Sequence, residues 1–464
     1  MQSLLAASLL EQSAALARGE ISSRELVLAH LAQIERVNPK LNAVVTLAPE
    51  QALAQAERAD RARTQRRAHS PVHGVPMTIK DGLDTAGVVS TGGTLGRAHF
   101  VPERDATAVA RLRRAGAILL GKTNTPELTL YYDTDNLIHG RTRNPYDPAR
   151  SPGGSSGGAA AIVAACGAAF DLGTDTGGSI RLPAHFCGIA GLKPTSGRVP
   201  GTGLIIPPGS PVDCLTQIGP MARRVDDLFP LLRLIAGPDD EDAGTVPVPL
   251  RDPARVRVER LRVAWYADNG IADVNPEVRA VIVATARALG TVCLSVEQAR
   301  PDSVEETTKL YGRFFGTDGG HWVRRLLARY GTMRPFPFLR WAQGLEDQRA
   351  SSWTELLAQV GAVKAAMLSF MRRYDVLICP AHPEAALPSE VLMAESRRAA
   401  FSYTQTYNLT GWPAGVVRGG STADGLPIGV QVVARPWRED LVLAVMRCIE
   451  QASGGWHIPA LATS

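Results

Sequence analysis

The chain has 464 residues and a mass of 49.5 kDa, enough for one very large domain or for two to three smaller ones. Its composition, 45% apolar and 20% charged, is that of a folded chain and excludes an intrinsically disordered protein. The net charge of +5 is spread thinly without blocks of like charge, so we expect neither a nucleic-acid surface nor a membrane surface.

The sequence also argues against membrane-spanning and secreted proteins. The first twenty residues have no basic segment and Glu11 interrupts their apolar run, unlike a signal peptide. The longest apolar stretch, residues 159–170, is shorter than the roughly 20 residues that span a bilayer. The six cysteines form no CxxC pair and mostly lie in apolar runs, which predicts buried thiols in a reducing cytoplasm.

The predicted elements begin with helices over residues 1–60, where Ser22 and Glu25 form a capping-box pair. Units of helix, glycine and strand follow. They are predicted over 105–121, 277–296 and 353–380, and a strand and a helix are predicted over 426–434 and 439–454. Strands that alternate with helices predict an α/β fold: one large domain with a central twisted sheet, mixed but mostly parallel, covered by helices on both faces.

One segment, residues 151–202, differs in texture because it is rich in Gly, Ser and Ala and poor in charge. Its glycines form tight clusters between apolar runs, which favours a buried site built from backbone over a flexible linker. Residues 238–256 are the best candidate for a long loop, but strands and helices resume beyond them. A single domain is therefore expected.

Three familiar motifs occur without the structure that each needs. Residues 116–123 match the phosphate-loop pattern, but their middle residues resemble a strand and Pro126 follows at once. Residues 153–157 match the G-x-S-x-G nucleophile elbow, but the three prolines in 141–152 exclude the required upstream strand. Cys379 and His382 have no second ligand cluster, so no metal site is expected.

Two features indicate nucleophilic catalysis. The chain has six lysines and forty-four arginines, and one of the lysines, Lys80, follows an apolar run. A desolvated lysine can lose its proton and act as a neutral base, whereas an arginine cannot. In GTDTGGS, the amides of Thr176, Gly177 and Gly178 can converge on an oxyanion formed at Ser179. A surface lysine and a plain glycine turn are the alternatives that the residues alone leave open.

Residues 151–199 (SPGGSSGGAAAIVAACGAAFDLGTDTGGSIRLPAHFCGIAGLKPTSGRV) resemble the amidase signature family, serine hydrolases with a Ser–cis-Ser–Lys triad. GVPMTIKD, GAILLGKTNTPEL, GRTRNPYDPARSPGG, YNLTGWPA and GLPIGVQVVARPWRED are also similar to family sequence. The resemblance implies one amidase domain over 1–464. Its predicted parts are N-terminal helices (1–69), a signature core (70–240), a loosely similar pocket region (241–374), and C-terminal strands and a helix that complete the sheet (375–464).

The resemblance implies a role for each matching residue. Ser179 would be the acylated nucleophile, Ser155 the bridging serine after a cis peptide bond at Gly154–Ser155, and Lys80 the base. The predicted oxyanion hole consists of the backbone N–H groups of Thr176, Gly177, Gly178 and Ser179. The predicted supporting residues are Ser156, which contacts Lys80, and Asp175 and Arg181, which flank the nucleophile; we expect Asp175 to hold the loop rather than to act as an acid.

The implied reaction is hydrolysis of a small-molecule amide to an acid and ammonia or an amine, without a metal or organic cofactor. The C-terminal motifs and residues 314–320 resemble the stand-alone and fatty-acid-amide branch. A glutaminase subunit of a complex that forms glutaminyl-tRNA and a non-catalytic family member are the alternatives. A cytoplasmic location is expected, and homodimers are common in the family.

We expect the pocket walls to come from residues 125–133, with Thr129, Tyr131 and Tyr132, and from the aromatic side chains of 310–345. Those aromatic residues suit an apolar acyl or aryl group, and ordinary helix core is the alternative interpretation. They are Tyr311, Phe314, Phe315, Trp322, Phe336, Phe338 and Trp341.

Overall fold

A computed structural model describes residues 1–65, 70–346 and 349–463. In these residues eleven strands form one sheet, in the order β1-β3-β2-β4-β6-β5-β10-β11-β9-β7-β8. The strands are β1 Val44–Leu47, β2 Pro76–Lys80, β3 Ile118–Thr123, β4 Phe170–Asp175, β5 Ala190–Lys193, β6 Gln217–Ala222, β7 Arg262–Trp265, β8 Ser295–Gln298, β9 Val376–Pro380, β10 Ala414–Ser421 and β11 Pro427–Ala434. One continuous sheet confirms the predicted single domain.

Helices flank this sheet. They are α1 Gln2–Ala6, α2 Leu9–Arg18, α3 Ser23–Leu41, α4 Pro49–Thr64, α5 Thr107–Arg114, α6 Gly157–Ala164, α7 Arg181–Phe186, α8 Leu228–Ile235, α9 Pro276–Leu289, α10 Val304–Gly316, α11 His321–Arg329, α12 Ala350–Phe370, α13 Ser389–Leu392, α14 Ser402–Leu409 and α15 Glu439–Ser453. None of the helices within the described residues is both long enough and apolar enough to cross a bilayer.

Helices cover both faces of the sheet, as predicted. Side chains of a strand alternate between its faces, and in β9 Ile378 belongs to one core cluster whereas Leu377 and Cys379 belong to another. In β3, Leu119 and Leu120 are divided between two clusters in the same way. Each face of the sheet therefore packs against its own apolar layer.

The sheet is mixed, as expected, but the predicted excess of parallel pairs is wrong. Four of the ten strand pairings in the described residues are parallel and six are antiparallel. Parallel neighbours need a long crossover connection, whereas β10 and β11 are joined by a short turn and must run antiparallel. Strand β6 also pairs antiparallel with both β4 and β5.

Most predicted elements are confirmed, with two exceptions. The capping box of Ser22 and Glu25 starts α3 as predicted. The helical interpretation of residues 1–60 missed β1, a four-residue strand at the sheet edge. The strand predicted at 291–296 lies instead at Ser295–Gln298, where no side chain is fully buried.

The rejected motifs and the cysteines also have clear positions. Residues 118–123 of the phosphate-loop pattern form β3, which confirms that three of its four middle residues are strand. Residues 141–152, ahead of the G-x-S-x-G match, contain no strand.

The six cysteines are free, but only three are fully buried, so the prediction of mostly buried thiols is wrong for Cys214, Cys293 and Cys448.

Candidate active site

Lys80 is the last residue of β2, and its side chain is fully buried. Its Nζ lies 2.6 Å from Ser155 Oγ, 2.9 Å from Ser156 Oγ and 2.7 Å from Thr174 Oγ1. The structure thus brings the predicted base and the predicted bridging serine into contact, and it contains the predicted contact between Ser156 and Lys80.

The start of α6 places both serines. Ser156 occupies the N-cap position, but its hydroxyl contacts Lys80 instead of capping the helix. The peptide bond Gly154–Ser155 is cis, as the resemblance implied. Only glycine fits at Gly158, because a Cβ there would lie 2.5 Å from the backbone nitrogen of Asn124. This close approach holds α6 against the end of β3.

The surroundings of Lys80 favour a neutral amine. Burial lowers the Lys80 pKa well below its ordinary value, although the carboxylates of Asp175 and Asp171 oppose the shift. Ser156 Oγ donates to the Thr174 carbonyl at 3.2 Å, which leaves its lone pairs to accept from Nζ. A neutral amine that donates to Ser156 and Thr174 keeps its own lone pair for a proton from the Ser155 hydroxyl.

Two polar residues behind Lys80 were missed by the sequence analysis. One is Thr174, whose hydroxyl contacts Nζ. The other is Asp171, a buried carboxylate that accepts the Lys80 backbone N–H at 3.0 Å and the hydroxyls of Thr78 and Thr123 at 2.6 and 3.0 Å. Asp171 could have been found as an isolated acid in the otherwise uncharged segment 151–174.

The loop that connects β4 to α7 carries Ser179, and we call it the nucleophile loop after the predicted role of this serine. Ser179 is 5% exposed. Asp175 ties the loop together: its carboxylate accepts the N–H groups of Gly178 and Ile180 at 2.9 and 3.1 Å and binds Arg181 through both oxygens at 2.9 and 3.0 Å. Burial alone would raise the Asp175 pKa, but the Arg181 guanidinium holds it well below its ordinary value. Asp175 is therefore placed to hold the loop.

One of the four backbone amides that were predicted as oxyanion donors has another partner. The Gly178 N–H, predicted to face the oxyanion, donates to Asp175 Oδ1 and is not free for this role in the structure. The amides of Thr176, Gly177 and Ser179 are left as the candidate donors. The Ser179 carbonyl accepts the Ser156 N–H at 3.1 Å, so the nucleophile loop and the start of α6 are in direct contact.

A cavity of about 720 Å³ opens above Ser179, and Thr129, Tyr131 and Tyr132 line it as predicted. The aromatic set of 310–345 is divided. Tyr311, Phe315, Phe338 and Trp341 line the cavity, whereas Phe314, Trp322 and Phe336 do not. Phe314 and Trp322 belong to the core, which was the alternative interpretation.

The sequence analysis missed a third wall of the cavity, the segment 393–405. Its lining residues are Met393, Ala394, Glu395, Arg398, Ala399, Phe401 and Gln405. Phe401 stacks on Tyr132 with 3.7 Å between ring centroids. No motif marks this wall, because apolar residues at helical spacing are equally typical of a core face.

Charge is confined to the cavity mouth. Among the described lining residues only Glu395 and Arg398 are charged. Their side chains are 86% and 72% exposed and lie 3.6 Å apart. The other described lining residues are uncharged, and seven of them are aromatic.

Cys379 and His382 do not form a shared ligand set. Cys379 Sγ accepts from Gln431 Nε2 at 3.2 Å, and His382 Nδ1 lies 3.0 Å from the Glu384 carbonyl oxygen. In the part of the chain that the structure describes, no cluster of three or more His, Cys, Asp or Glu could hold a metal ion.

Comparison with known proteins shows the family of this chain. The family model described as Amidase matches residues 25–443. The A subunit of the glutamyl-tRNA(Gln) amidotransferase of Geobacter metallireducens is 34% identical, covering 95% of this chain and 96% of its own. Among solved structures, 6-aminohexanoate cyclic dimer hydrolase matches with a TM-score of 0.86 at 30% identity over 99% of both chains. A bacterial aryl acylamidase matches with a TM-score of 0.86 at 25% identity, covering 99% of this chain and 98% of its own. The chain therefore belongs to the amidase family, the family that residues 151–199 resemble.

Proposed function

We propose that this protein hydrolyses a carboxylic amide through an acyl-enzyme on Ser179, with Ser155 as the proton relay and Lys80 as the neutral base. The observation that carries this proposal is the contact between Lys80 Nζ and Ser155 Oγ at 2.6 Å, in a place where Lys80 is fully buried. Burial removes the hydration that stabilises an ammonium ion, and so it favours the protonation state that a base needs.

The proposed chemistry balances with these groups alone. Ser179 Oγ attacks the amide carbon as its proton passes to Ser155 Oγ and the Ser155 proton passes to Lys80 Nζ. The relay then returns a proton to the leaving nitrogen as the carbon–nitrogen bond breaks, and ammonia or an amine departs. Water repeats the sequence on the ester and releases the acid. Backbone N–H groups beside Ser179 stabilise the oxyanion in both halves.

The cavity supports a neutral acyl or aryl group as the part of the substrate that binds beside Ser179. Aromatic side chains line the inner wall, and both charges lie at the exposed mouth. Apolar substrate atoms gain free energy when they leave water for such a wall, about 25 cal/mol per Å², whereas an unpaired charge is penalised there.

The second candidate is glutamine hydrolysis within an amidotransferase complex. It is favoured by the relative named as the A subunit of glutamyl-tRNA(Gln) amidotransferase, which is 34% identical over 95% of this chain. Free glutamine carries an α-carboxylate and an α-ammonium group, and only Arg398 and Glu395 are charged among the described lining residues. Glutamine would therefore depend on this pair at the mouth.

A substrate panel with the isolated chain separates the two candidates. We expect turnover of a hexanoyl or benzoyl amide, and an Arg398→Gln variant that keeps its KM for these amides. If glutamine is the substrate, the same substitution raises the KM for glutamine at least about tenfold, since one charged hydrogen bond is worth about 1.5–3 kcal/mol. The first candidate would be contradicted if glutamine were the only amide that the isolated chain hydrolyses. It would also be contradicted if hydrolysis required added partner proteins.

The catalytic proposal has its own test. Lys80→Ala should abolish turnover and leave the circular dichroism spectrum unchanged, because the hydroxyl relay then has no base. In the wild type, kcat/KM should decline on the acid side as Lys80 gains a proton. A fluorophosphonate probe should label Ser179, as read by peptide mapping. The mechanism would be refuted if Lys80→Ala hydrolysed amides at a near-normal rate, or if the probe labelled another serine. If the wild-type protein showed neither labelling nor turnover, a non-catalytic protein would be favoured.

A further inference from the structure

The nucleophile loop is held by the carbonyl oxygens of four consecutive residues. The bonds are Asn408 Nδ2 to Asp175 O at 3.2 Å, Tyr311 Oη to Thr176 O at 3.2 Å, Thr404 Oγ1 to Gly177 O at 2.6 Å, and Leu182 N–H to Gly178 O at 2.7 Å. Three of these four carbonyls are therefore anchored by side chains of α10 and α14, whereas Leu182 belongs to α7, the helix that directly follows the loop.

An anchored carbonyl also aims the next amide. In a trans peptide the C=O of one residue and the N–H of the next point in opposite directions. The bond from Tyr311 to the Thr176 carbonyl thus directs the Gly177 N–H away from Tyr311. The bond from Thr404 to the Gly177 carbonyl does the same for the Gly178 N–H, but that group donates to Asp175. Tyr311 therefore orients an amide that is a candidate oxyanion donor, whereas Thr404 orients an amide that binds Asp175.

Tyr311 has little freedom to move. It is 5% exposed and lies on α10, which is tied to α14 by the contact between the hydroxyls of Thr307 and Thr406 at 2.7 Å. A Cβ on Gly177 would lie 2.3 Å from Tyr311 Oη and 2.4 Å from Tyr132 Oη. The two phenols therefore pack directly against the Gly177 backbone, and only glycine leaves room for them.

We propose that Tyr311 is a positioning residue that orients the Gly177 N–H as an oxyanion donor. This inference rests on the proposed function, because it assumes attack by Ser179. Tyr311 lies in the region 241–374, where the sequence is only loosely similar to the family, and it does not touch the reacting atoms through its hydroxyl. A residue of the pocket wall would thus contribute to the rate as well as to substrate shape.

The test replaces the hydroxyl and keeps the ring. For Tyr311→Phe we expect kcat to fall about 10- to 100-fold. This decrease is no larger than the one that follows removal of a whole oxyanion donor. The KM should stay within about twofold, because the oxyanion exists only in the transition state. The second-order rate of fluorophosphonate labelling should fall by a similar factor, since the tetrahedral adduct uses the same donors.

Controls separate this role from a structural one. Tyr266→Phe removes another buried hydroxyl, which contacts Tyr407 at 2.8 Å, and should change stability without changing kcat. If the phenylalanine variant does not fold, 4-fluorophenylalanine at position 311 keeps the ring and nearly the size of the side chain without a hydroxyl donor, and the same results are expected. Unchanged kcat in Tyr311→Phe, or a loss confined to KM, would overturn the inference. Undiminished turnover by Ser179→Ala would instead overturn the proposed function, so the two failures are distinguishable.

Discussion

Two fully buried lysines, Lys80 and Lys122, lie at neighbouring strands but have different partners. Lys122 Nζ lies 3.8 Å from an Asp81 carboxylate oxygen, an ion pair that partly offsets burial, and its pKa is lowered to about 8, chiefly by that burial. Lys80 contacts three hydroxyls, and among the described residues it has no ion pair within 4 Å. Lys122 Nζ also contacts the hydroxyls of Thr85 and Ser90, at 2.8 and 3.1 Å. Within the described residues, the ion pair with Asp81 is therefore what separates Lys122 from the candidate base.

Asp171 gives a testable dependence of stability on pH. Burial raises its pKa to about 7, although the hydroxyls of Thr78 and Thr123 oppose the shift. The folded state then binds the proton more tightly than the unfolded state, so this contribution to stability is full below the ordinary pKa and is lost as the pH rises through about 7. The Asp171→Asn variant has no carboxyl group at this position, so it does not lose this stability as the pH rises. Its unfolding free energy relative to wild type should therefore increase between about pH 5 and about pH 8.

Urea unfolding at the two pH values measures this difference. Thr64→Ala is a suitable control, because Thr64 is an exposed residue of α4 and its side chain does not titrate. Its difference in unfolding free energy from wild type should be the same at both pH values. A gap between Asp171→Asn and wild type that stays constant with pH would contradict the raised pKa.

The sequence predicts the site residues that are chemically unusual and misses those that are common. Lys80 stands out as a rare lysine after an apolar run, and Ser179 lies within a distinctive glycine cluster. Thr174 was missed, because a threonine in a strand is typical of any sheet. The engagement of the Gly178 N–H by Asp175 was also missed, since the direction of a backbone amide depends on loop geometry and not on residue type.

Helix α14 is one of the elements that anchor the nucleophile loop. Arg181 donates to Asp175 within the loop and, at 3.0 Å, to the carbonyl of Thr404 on α14. The pair of Arg181 and Asp175 is completely buried. Arg181→Met should therefore lower the unfolding free energy by about 3–5 kcal/mol, because Asp175 becomes a buried charge without its partner.

A surface ion pair provides the matched control. Arg262 binds Asp375 at 3.1 Å, but their side chains are 39% and 26% exposed. Arg262→Met should lower the unfolding free energy by less than about 1 kcal/mol. Denaturant titrations of both variants measure the contrast, and equal losses would show that burial does not set the strength of the Arg181 contact.

Elements with a regular apolar pattern were predicted well, and those at the sheet edges were not. The helix over 439–454 and the strand over 426–434 match α15 and β11 closely, because each has a long apolar face. The edge strands β1 and β8 have four residues each and side chains that are partly exposed. Such short strands give little periodicity. The pairing of β6 with β4 and β5 joins distant parts of the chain and has no local signal.

At the scale of the whole molecule, the last strands in the sequence lie inside the sheet. Strands β10 and β11 stand between β5 and β9, with β10 beside β5 and β11 beside β9. They join the half of the sheet that carries the nucleophile loop to the half that carries β7 to β9. A chain that ends after residue 410 should therefore fail to form a stable fold, as measured by circular dichroism and gel filtration.

Removal of residues 1–6 is the control for this truncation. These residues contain α1, in which Leu5 is the only buried side chain. We expect that variant to stay folded and monodisperse. A cooperative unfolding transition in the chain that ends after residue 410 would show that β10 and β11 are dispensable.

The central position of the C-terminal hairpin has a consequence for synthesis on the ribosome. Arg181 donates to Asn408 on α14 and, at 2.7 Å, to Gln431 on β11. Both partners are translated more than two hundred residues after Arg181. The nascent chain thus carries its serine long before the contacts that fix it exist, and it exposes two open strand edges meanwhile. The proposed hydrolytic activity should therefore arise only after β10 and β11 have left the exit tunnel, and chaperones that shield strand edges should matter most before that point.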